Sequence, residues 1–231
     1  MLVVVCDERD EAGRRLIASW PGSRARRLTA GDLSTAGWRV SFPDDDEAIA
    51  VLDGHRIPVA HITAVVVRCP AITAADVPHI ASQDRAFVAA EMTAFLAGWL
   101  MNLRCRVMNR PTATCLCGPP WRRLQWVRVA ADLGIPAEPV CVAASPTGGT
   151  SETSFTPLVG VTIVGDACVG EVDDELKRRT RRLAAAAGVE LLTAQFSGRS
   201  AEDRFVTASV LPDLDDPAIL EALHHHAGAT A

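Results

Sequence analysis

The chain has 231 residues, of which 48% are hydrophobic and 22% are charged, and its formal net charge is -5. This composition is typical of a globular protein that can bury a sizeable core, as one large domain or two small ones. Acidic and basic residues are interspersed, which argues against general affinity for nucleic acid or membrane surfaces. No apolar stretch approaches the roughly 20 residues of a membrane span, and the N-terminus lacks the pattern of an export signal, so we expect a cytoplasmic protein.

Strand and helix signals alternate in the first half of the chain. Apolar residues with helical spacing at 11–20 follow the first apolar run, as in a βα unit. The dipeptide Asp53-Gly54 separates two short apolar runs and predicts a β-hairpin. The predicted strands of this half are 2–6, 38–42, 48–52, 57–59 and 64–67.

The strongest helix signal covers residues 87–103. Its apolar positions form one continuous stripe, made of Phe87, Val88, Met92, Phe95, Leu96, Trp99, Leu100 and Leu103. Glu91 falls on this stripe, so we expect its carboxylate to be at least partly buried and to need a cationic partner. Arg68, at the end of a neighbouring strand, is the candidate partner.

The second half contains a short strand, a helix and then a compact α/β unit. Gly118-Pro119-Pro120 marks a break before the helix at 121–133, and Gly134 ends that helix. Residues 145–156 are rich in Ser, Thr and Gly and read as a linker. The predicted strands are 106–108, 139–143, 158–164, 167–170, 191–196 and 205–210, and the further helices are 173–187 and 217–225.

Several smaller features have an ordinary structural interpretation and a functional one. The seven cysteines are scattered, so we expect free thiols, and the pair Cys115 and Cys117 has no second pair or nearby histidine to support a metal site. The histidines at 224–226 are interpreted as a solvated tail. Trp121 and Trp126 are assigned to core packing, with an exposed recognition surface as the alternative.

Five features occur in a fixed order between residues 65 and 139. A strand ends in Arg and Pro, a long helix carries Glu, an Asn-x-Pro turn follows, and a helix begins with a basic residue and Leu and ends in Ala-x-x-x-Gly. They are Val67-Arg68-Cys69-Pro70, Glu91, Asn109-Arg110-Pro111, Arg123-Leu124 and the helix end at 130–136. In this order and spacing, the segment resembles the N-terminal half of ATP-grasp ligases of the ribosomal-protein-modifying and microviridin-type peptide-cyclising kind.

The last third is similar to the C-terminal half of the same family, but its polar positions differ. The resemblance implies three oxygen ligands for magnesium-ATP, an Asp, a Glu and an Asn, at the positions of Gln195, Thr207 and Ser209. Arg123 stands where the family has a phosphate-binding lysine, and a second lysine belongs to a subdomain for which only about residues 145–157 remain. Lys177, the only lysine here, is predicted on a solvent-facing helix row with Arg178 and Arg179 and cannot replace it.

The resemblance implies an α/β fold with a Rossmann-like pre-ATP-grasp domain at 1–117. A reduced ATP-grasp α+β domain at 118–231 would lack the central subdomain that clamps the nucleotide. We expect no cofactor and no metal. Residues expected to bind a ligand or partner are Arg68, Glu91, Asn109, Arg110 and Arg123.

Three hypotheses follow from this pattern. The first is a catalytically inert ATP-grasp-like protein that binds a peptide or a partner enzyme, such as an intact paralogue, in a biosynthetic or peptide-modification pathway. The second is an enzyme, either a repurposed scaffold or a minimal ATP-dependent carboxylate-amine ligase that completes its site with a partner subunit. The third is a structural oligomerisation module, for example a homodimer.

Overall fold

The computed structural model describes residues 1–22, 24–40, 47–140 and 157–228. These residues group into two compact units. The first unit contains Met1–Pro120 and Asp213–Ala231, and the second contains Trp121–Pro212. The second unit is thus inserted into the first along the chain. The predicted boundary at 117/118 had placed the last helix with the second unit, whereas its contacts group it with the first.

The first unit is built on a four-stranded parallel sheet with the strand order β2-β1-β5-β6. Strands β1 and β5 are buried at every position, which explains why both read as unbroken apolar runs. The elements are β1 (Leu2–Val5), α1 (Glu11–Ala18), β2 (Ala25–Leu28), α2 (Ala30–Leu33), β3 (Ile49–Leu52), β4 (His55–Pro58), β5 (Ala64–Val67), α3 (Arg85–Asn102) and β6 (Arg106–Met108). Short 3-10 turns occur at Val59–His61 and Ala74–Asp76.

Strands β3 and β4 form the predicted hairpin. Asp53 and Gly54 have φ angles of 49° and 72°, the left-handed pair that a tight hairpin turn needs. The turn also contacts the sheet and α2, because the Asp53 N–H donates to the Arg27 carbonyl and the Gly54 N–H donates to Asp32 Oδ1. The strand predicted at 38–42 is not formed at 38–40, where only Arg39 makes an isolated bridge; residues 41–46 lie outside the described part of the chain.

The second unit is a four-stranded antiparallel sheet with two helices. Its elements are α4 (Arg123–Asp132), β7 (Val159–Val164), β8 (Ala167–Val169), α5 (Asp174–Ala187), β9 (Leu191–Phe196) and β10 (Phe205–Ser209). The strand order is β10-β9-β7-β8. One face of the sheet packs into a core with α4 and α5, to which Trp126, Leu176, Leu183 and Phe196 contribute. Of the strand predicted at 139–143, residues 139–140 are not in a strand, and 141–143 lie outside the described residues.

The helix α4 ends in a complete Schellman motif. Gly134 has a φ of 67°, its N–H donates to the Ala131 carbonyl, and the Ile135 N–H donates to the Ala130 carbonyl. At the other end, Trp126 is almost fully buried and makes an edge-on contact with the partly buried Trp121, with ring centroids 4.8 Å apart. Core packing is therefore the correct interpretation of Trp126.

The helix α6 (Pro217–Gly228) returns the chain to the first unit. The His224 ring lies 3.9 Å from the Trp20 ring and makes a 2.8 Å hydrogen bond to Ser19 Oγ. The His226 carbonyl accepts a 2.6 Å hydrogen bond from Arg106 Nη1. The prediction of a solvated histidine tail was wrong for these two residues, because α6 packs on the sheet; of the three histidines, His225 is the exposed one.

Arg179 corrects a second prediction. It was assigned to a solvent-facing row of α5, yet it is only 9% exposed. Its guanidinium reaches Glu175 one turn earlier and the Asp203 carbonyl.

None of the helices in the described ranges is long and apolar enough to cross a bilayer.

Candidate functional site

A crevice of about 360 Å³ lies at the carboxyl ends of β1, β2 and β5. Each strand delivers the residues that follow it: Cys6 and Asp7 after β1, Thr29 after β2, and Arg68 and Cys69 after β5. Strand β1 lies between β2 and β5, so the chain continues from β1 to β2 on one side and later places β5 on the other side. Open parallel sheets bind ligands at the carboxyl ends of their strands, at the point where the strand order reverses in this way. The crevice is a ligand-sized site at this edge of the first unit.

Arg68 is held in this crevice by a buried ion pair. Its Nε lies 2.7 Å from Asp10 Oδ2, and its Nη2 lies 3.4 Å from Asp10 Oδ1. The two side chains are 9% and 17% exposed. Asp10 directly precedes α1, so the first helix positions the carboxylate.

The predicted partner of Arg68, Glu91, is exposed on α3. That prediction was wrong because the apolar stripe of α3 is wider than the surface it buries. Glu91 shares its side of the helix with the 70% exposed Phe87.

The thiols of the crevice are not nucleophiles at neutral pH. Burial raises the pKa of Cys6 and of Cys69 to about 12 from the usual 9.0, so both stay protonated. Nearby, the Cys115 and Cys117 sulfurs lie 3.5 Å apart and both are buried and free. Burial, followed by the neighbouring Cys115, also raises the pKa of Cys117.

Protonated thiols are poor metal ligands, and no group of three or more His, Cys, Asp or Glu residues in the described ranges is placed to hold a metal ion.

Asn109 and Arg110 lie in the turn after β6. Asn109 is 3% exposed and has a left-handed φ of 58°. The Arg110 guanidinium donates hydrogen bonds to carbonyls at the end of α3 and just beyond it, those of Leu100, Met101, Leu103 and Cys105. Arg110 therefore acts as a side-chain cap for α3, since carbonyls at a helix C-terminus have no partner within the helix.

A polar sheet face is the second candidate site, and it lies in the second unit. In the antiparallel register, Gln195 faces Gly160 on one side and Thr207 on the other. In the next row Thr193 faces Thr162 and Ser209, with 2.8 Å between the two threonine hydroxyls. Directly opposed residues share a face, so these six positions form one surface of hydroxyls, an amide and a glycine. The opposite face of the sheet is the one packed into the core.

Arg123 lies at the β10 edge of this sheet. It is the first residue of α4, it is exposed, and its Nε donates a 3.3 Å hydrogen bond to the Val206 carbonyl in β10. Val206 directly precedes Thr207 in this strand. The polar sheet face offers neutral hydrogen bonds and Arg123 offers one positive charge at the sheet edge, and both suit a carboxylate or a peptide group.

Within the first unit, the four predicted binding residues do not share one site. Arg68 lines the crevice, Glu91 is exposed on α3, Asn109 and Arg110 form a turn, and Arg123 belongs to the second unit. The sequence interpretation missed Asp10 and the other crevice residues. A signal was available, because 6–10 and 68–70 directly follow two buried strands, and the ends of parallel strands meet at one sheet edge.

Comparison with solved structures shows the class of fold. The chain has the fold of the ATP-grasp peptide ligases, which confirms the resemblance predicted from the sequence. It is similar to the macrocyclase MdnB from Microcystis aeruginosa, with a TM-score of 0.64 and 15% identity over 99% of both chains. The macrocyclase MdnC from the same organism, bound with the precursor peptide MdnA, gives 0.70 and 12% over 100% of both.

A third neighbour is the RiPP-associated ATP-grasp ligase of Chryseobacterium gregarium, in complex with ADP and a leader and core peptide. It matches with a TM-score of 0.69 and 9% identity over 100% of this chain and 97% of the neighbour. No protein-family model matches the sequence, and neither does any curated protein.

Proposed function

We propose that this chain is a non-catalytic ATP-grasp-like protein that binds a peptide or a partner enzyme in a peptide-modification or related biosynthetic pathway. Similar solved structures contain precursor peptides, as MdnC does with MdnA and the Chryseobacterium ligase does with a leader and core peptide. In the proposal, peptide binding is kept while ATP-driven ligation is lost.

The observation that carries the proposal is the neutral chemistry of the polar sheet face. Gln195, Thr207 and Ser209 are the positions at which the resemblance expects an Asp, a Glu and an Asn. The strand register supports this match, because it puts all three on one face of two adjacent strands. Mg²⁺ binds carboxylates and other hard oxygen ligands in strict octahedral geometry. A face without a carboxylate cannot offset the charge of Mg²⁺, so its residues do not fit a magnesium-nucleotide complex.

The length of the chain gives further support. The central nucleotide-clamping subdomain of the family would fall between residues 140 and 157, a stretch outside the described residues. A single βαβ unit takes about 30 residues, more than that interval contains. We propose that the subdomain is missing, as the sequence predicted.

One observation favours a second candidate, the minimal ligase that completes its site with a partner subunit. Arg123 retains a positive charge at the β10 edge of the sheet, at the position where the resemblance expects a phosphate-binding lysine. Arginine binds phosphate well, although its planar group differs from the compact ammonium of lysine. The two candidates differ in whether nucleotide is consumed.

Calorimetric titration with Mg-ATP separates these candidates. The ligase PsnB, of which a structure holds Mg and ADP, is the positive control. We expect heats of binding for PsnB and none for this chain. Micromolar affinity of this chain for Mg-ATP would contradict the non-catalytic proposal, and ADP release that appears only with an added partner subunit would favour the minimal ligase.

Peptide binding is tested without nucleotide, with fluorescein-labelled MdnA, the precursor peptide bound in the MdnC structure, as the probe. Arg123→Ala is expected to weaken binding by about tenfold, since a charge-assisted hydrogen bond contributes about 1.5 kcal/mol. Arg128→Ala is the matched control, because Arg128 is an exposed arginine on the same helix, paired with Asp132. Equal affinity of the two variants would remove Arg123 from the proposed peptide site.

A further inference from the structure

The helix α5 carries a concentration of positive charge. Its sequence includes five basic and two acidic side chains, a net charge of +3 in a chain whose formal net charge is -5. Arg179 is buried, whereas Arg178, Arg181 and Arg182 are exposed and Lys177 is partly exposed. We refer to the four accessible residues, Lys177, Arg178, Arg181 and Arg182, as the α5 basic surface.

The α5 basic surface lies on the outer side of the helix. Leu176 and Leu183 are fully buried and mark the side that packs on the sheet. At about 3.6 residues per turn, Arg178, Arg181 and Arg182 fall on the opposite side. The basic positions from 177 to 182 span about 7.5 Å of helix at a rise of about 1.5 Å per residue. Several cations are therefore presented to solvent within a short distance.

Contacts within the chain neutralise this surface only in part. Asp174 and Glu175, in the first turn of α5, pair with the two basic residues nearest to them. Arg182 donates to the Leu133 main-chain carbonyl, which carries no formal charge. Arg181 makes neither an ion pair nor a hydrogen bond with any described residue. Two of the guanidinium groups thus have no carboxylate partner in the part of the chain that the structure describes.

The positions of these charges weaken the helix. Lys177 lies four residues before Arg181, and Arg178 lies four residues before Arg182; like charges at this spacing repel each other and destabilise a helix. The helix dipole does not compensate, because it favours cations in the last turn, and the last turn of α5 contains no basic residue. A bound anion would relieve this repulsion.

We propose that the α5 basic surface binds a short acidic peptide segment. Carboxylates along such a segment can accept charge-assisted hydrogen bonds from the guanidinium groups. The surface is bounded by the exposed Asp173 and Asp174 at one end and by the exposed Ala185 and Ala186 at the other. The acidic end and the negative net charge of the chain repel a long polyanion such as nucleic acid, whereas the alanines offer contact to small apolar side chains.

This surface is separate from the proposed peptide site. The helix α5 packs on the core face of the sheet, whereas the polar sheet face lies on the opposite side and Arg123 lies at the β10 edge. Binding at α5 does not depend on the proposed peptide site, so variants of the two surfaces can fail independently.

Fluorescence anisotropy at low ionic strength tests the α5 basic surface, with a labelled synthetic peptide of four Glu-Ala repeats as the probe. We expect the wild-type chain to bind this probe, to ignore a peptide of four Gln-Ala repeats, and to lose affinity as salt is added. Arg178→Gln combined with Arg181→Gln should weaken binding about tenfold, the combined effect of about two exposed ion pairs.

Arg14→Gln combined with Arg15→Gln is the matched control. Both residues are exposed arginines on α1 of the first unit, and the change in net charge is the same. The control should bind the Glu-Ala probe as the wild-type chain does. Three results would overturn the proposal: no binding of the Glu-Ala probe by the wild-type chain, equal weakening in the two double variants, or tighter binding of a labelled single-stranded oligonucleotide than of the probe.

Thermal unfolding tests the repulsion within α5. Arg178→Gln combined with Arg181→Gln removes one member of each like-charge pair, and glutamine has nearly the same helix propensity as arginine. We therefore expect this double variant to be folded and to melt at a temperature no lower than that of the wild-type chain. A clearly lower melting temperature would contradict the repulsion that the proposal requires.

Discussion

Asp10→Asn would break the ion pair that holds Arg68 in the crevice. The pair joins Arg68 Nε and Asp10 Oδ2 at 2.7 Å, and the two side chains are only 9% and 17% exposed. Removing the charge of one partner of a largely buried pair leaves the other charge less well stabilised than it is in water, which costs about 3 kcal/mol. We therefore expect Asp10→Asn to lower the free energy of unfolding by about 3 kcal/mol.

The double variant Asp10→Asn with Arg68→Met tests the origin of this loss. Methionine fills much of the volume of the arginine stem and carries no charge, so we expect most of the stability to return and the loss to fall to about 1 kcal/mol. Asp132→Asn is the matched control, because Asp132 pairs with Arg128 on the exposed surface of α4, with side chains 63% and 78% exposed. That variant should cost no more than about 0.5 kcal/mol.

The measurement is urea unfolding followed by circular dichroism, together with hydrogen exchange at the amides of β1 and β5. Exchange reports opening of the sheet that carries Asp10 and Arg68 even if the two units unfold separately. A loss in Asp10→Asn as small as that of Asp132→Asn would refute the assignment of a buried, strongly coupled pair. A double variant that is less stable than either single variant would also refute this assignment.

Two further predictions concern stability. Gly170→Ala should lower the free energy of unfolding by about 2–4 kcal/mol, because Gly170 has a φ of 144° and an added Cβ would lie 2.9 Å from the Gly160 carbonyl oxygen. Gly188→Ala should lower it by only about 1 kcal/mol, because Gly188 has a φ of 64° and open space around it. Thermal unfolding compares the two variants. The free energy of unfolding should fall above about pH 9 by up to about 1.4 kcal/mol per pH unit for each of Cys6 and Cys69. The reason is that these thiols ionise there in the unfolded chain, whereas in the folded chain, with a pKa of about 12, they remain protonated. Urea unfolding of the wild-type chain and of the double Cys→Ala variant at increasing pH checks this.

Much of the fold follows from local sequence patterns, and the exceptions have physical causes. The buried strands β1 and β5, the hairpin at Asp53-Gly54 and the helices other than the short α2 were predictable from apolar runs, turn residues and helical spacing. The strand β2 was missed because its two central residues, Arg26 and Arg27, are charged. Only its pairing with β1 makes this segment a strand, and a local pattern does not contain that long-range contact.

The candidate sites were less predictable than the fold. Periodicity indicates which residues share a helix side, but it does not show whether that side is covered, and the exposed Glu91 illustrates this. Arg68 lines the crevice, yet its partner Asp10 lies 58 residues away in sequence and is adjacent only because β1 and β5 are neighbours in the sheet. Gln195 and Thr207, in contrast, were found through a family pattern, and the strand register then put them side by side.

The order of the two units along the chain has a consequence for protein synthesis. A ribosome releases residues 121–212 as one contiguous stretch, so the second unit can fold as soon as it emerges. The first unit stays incomplete until α6 follows, and until then Trp20 lacks its contact with His224. A nascent chain stalled after Pro212 would therefore expose part of the apolar surface of the first unit, and this interval is when a chaperone would protect it most.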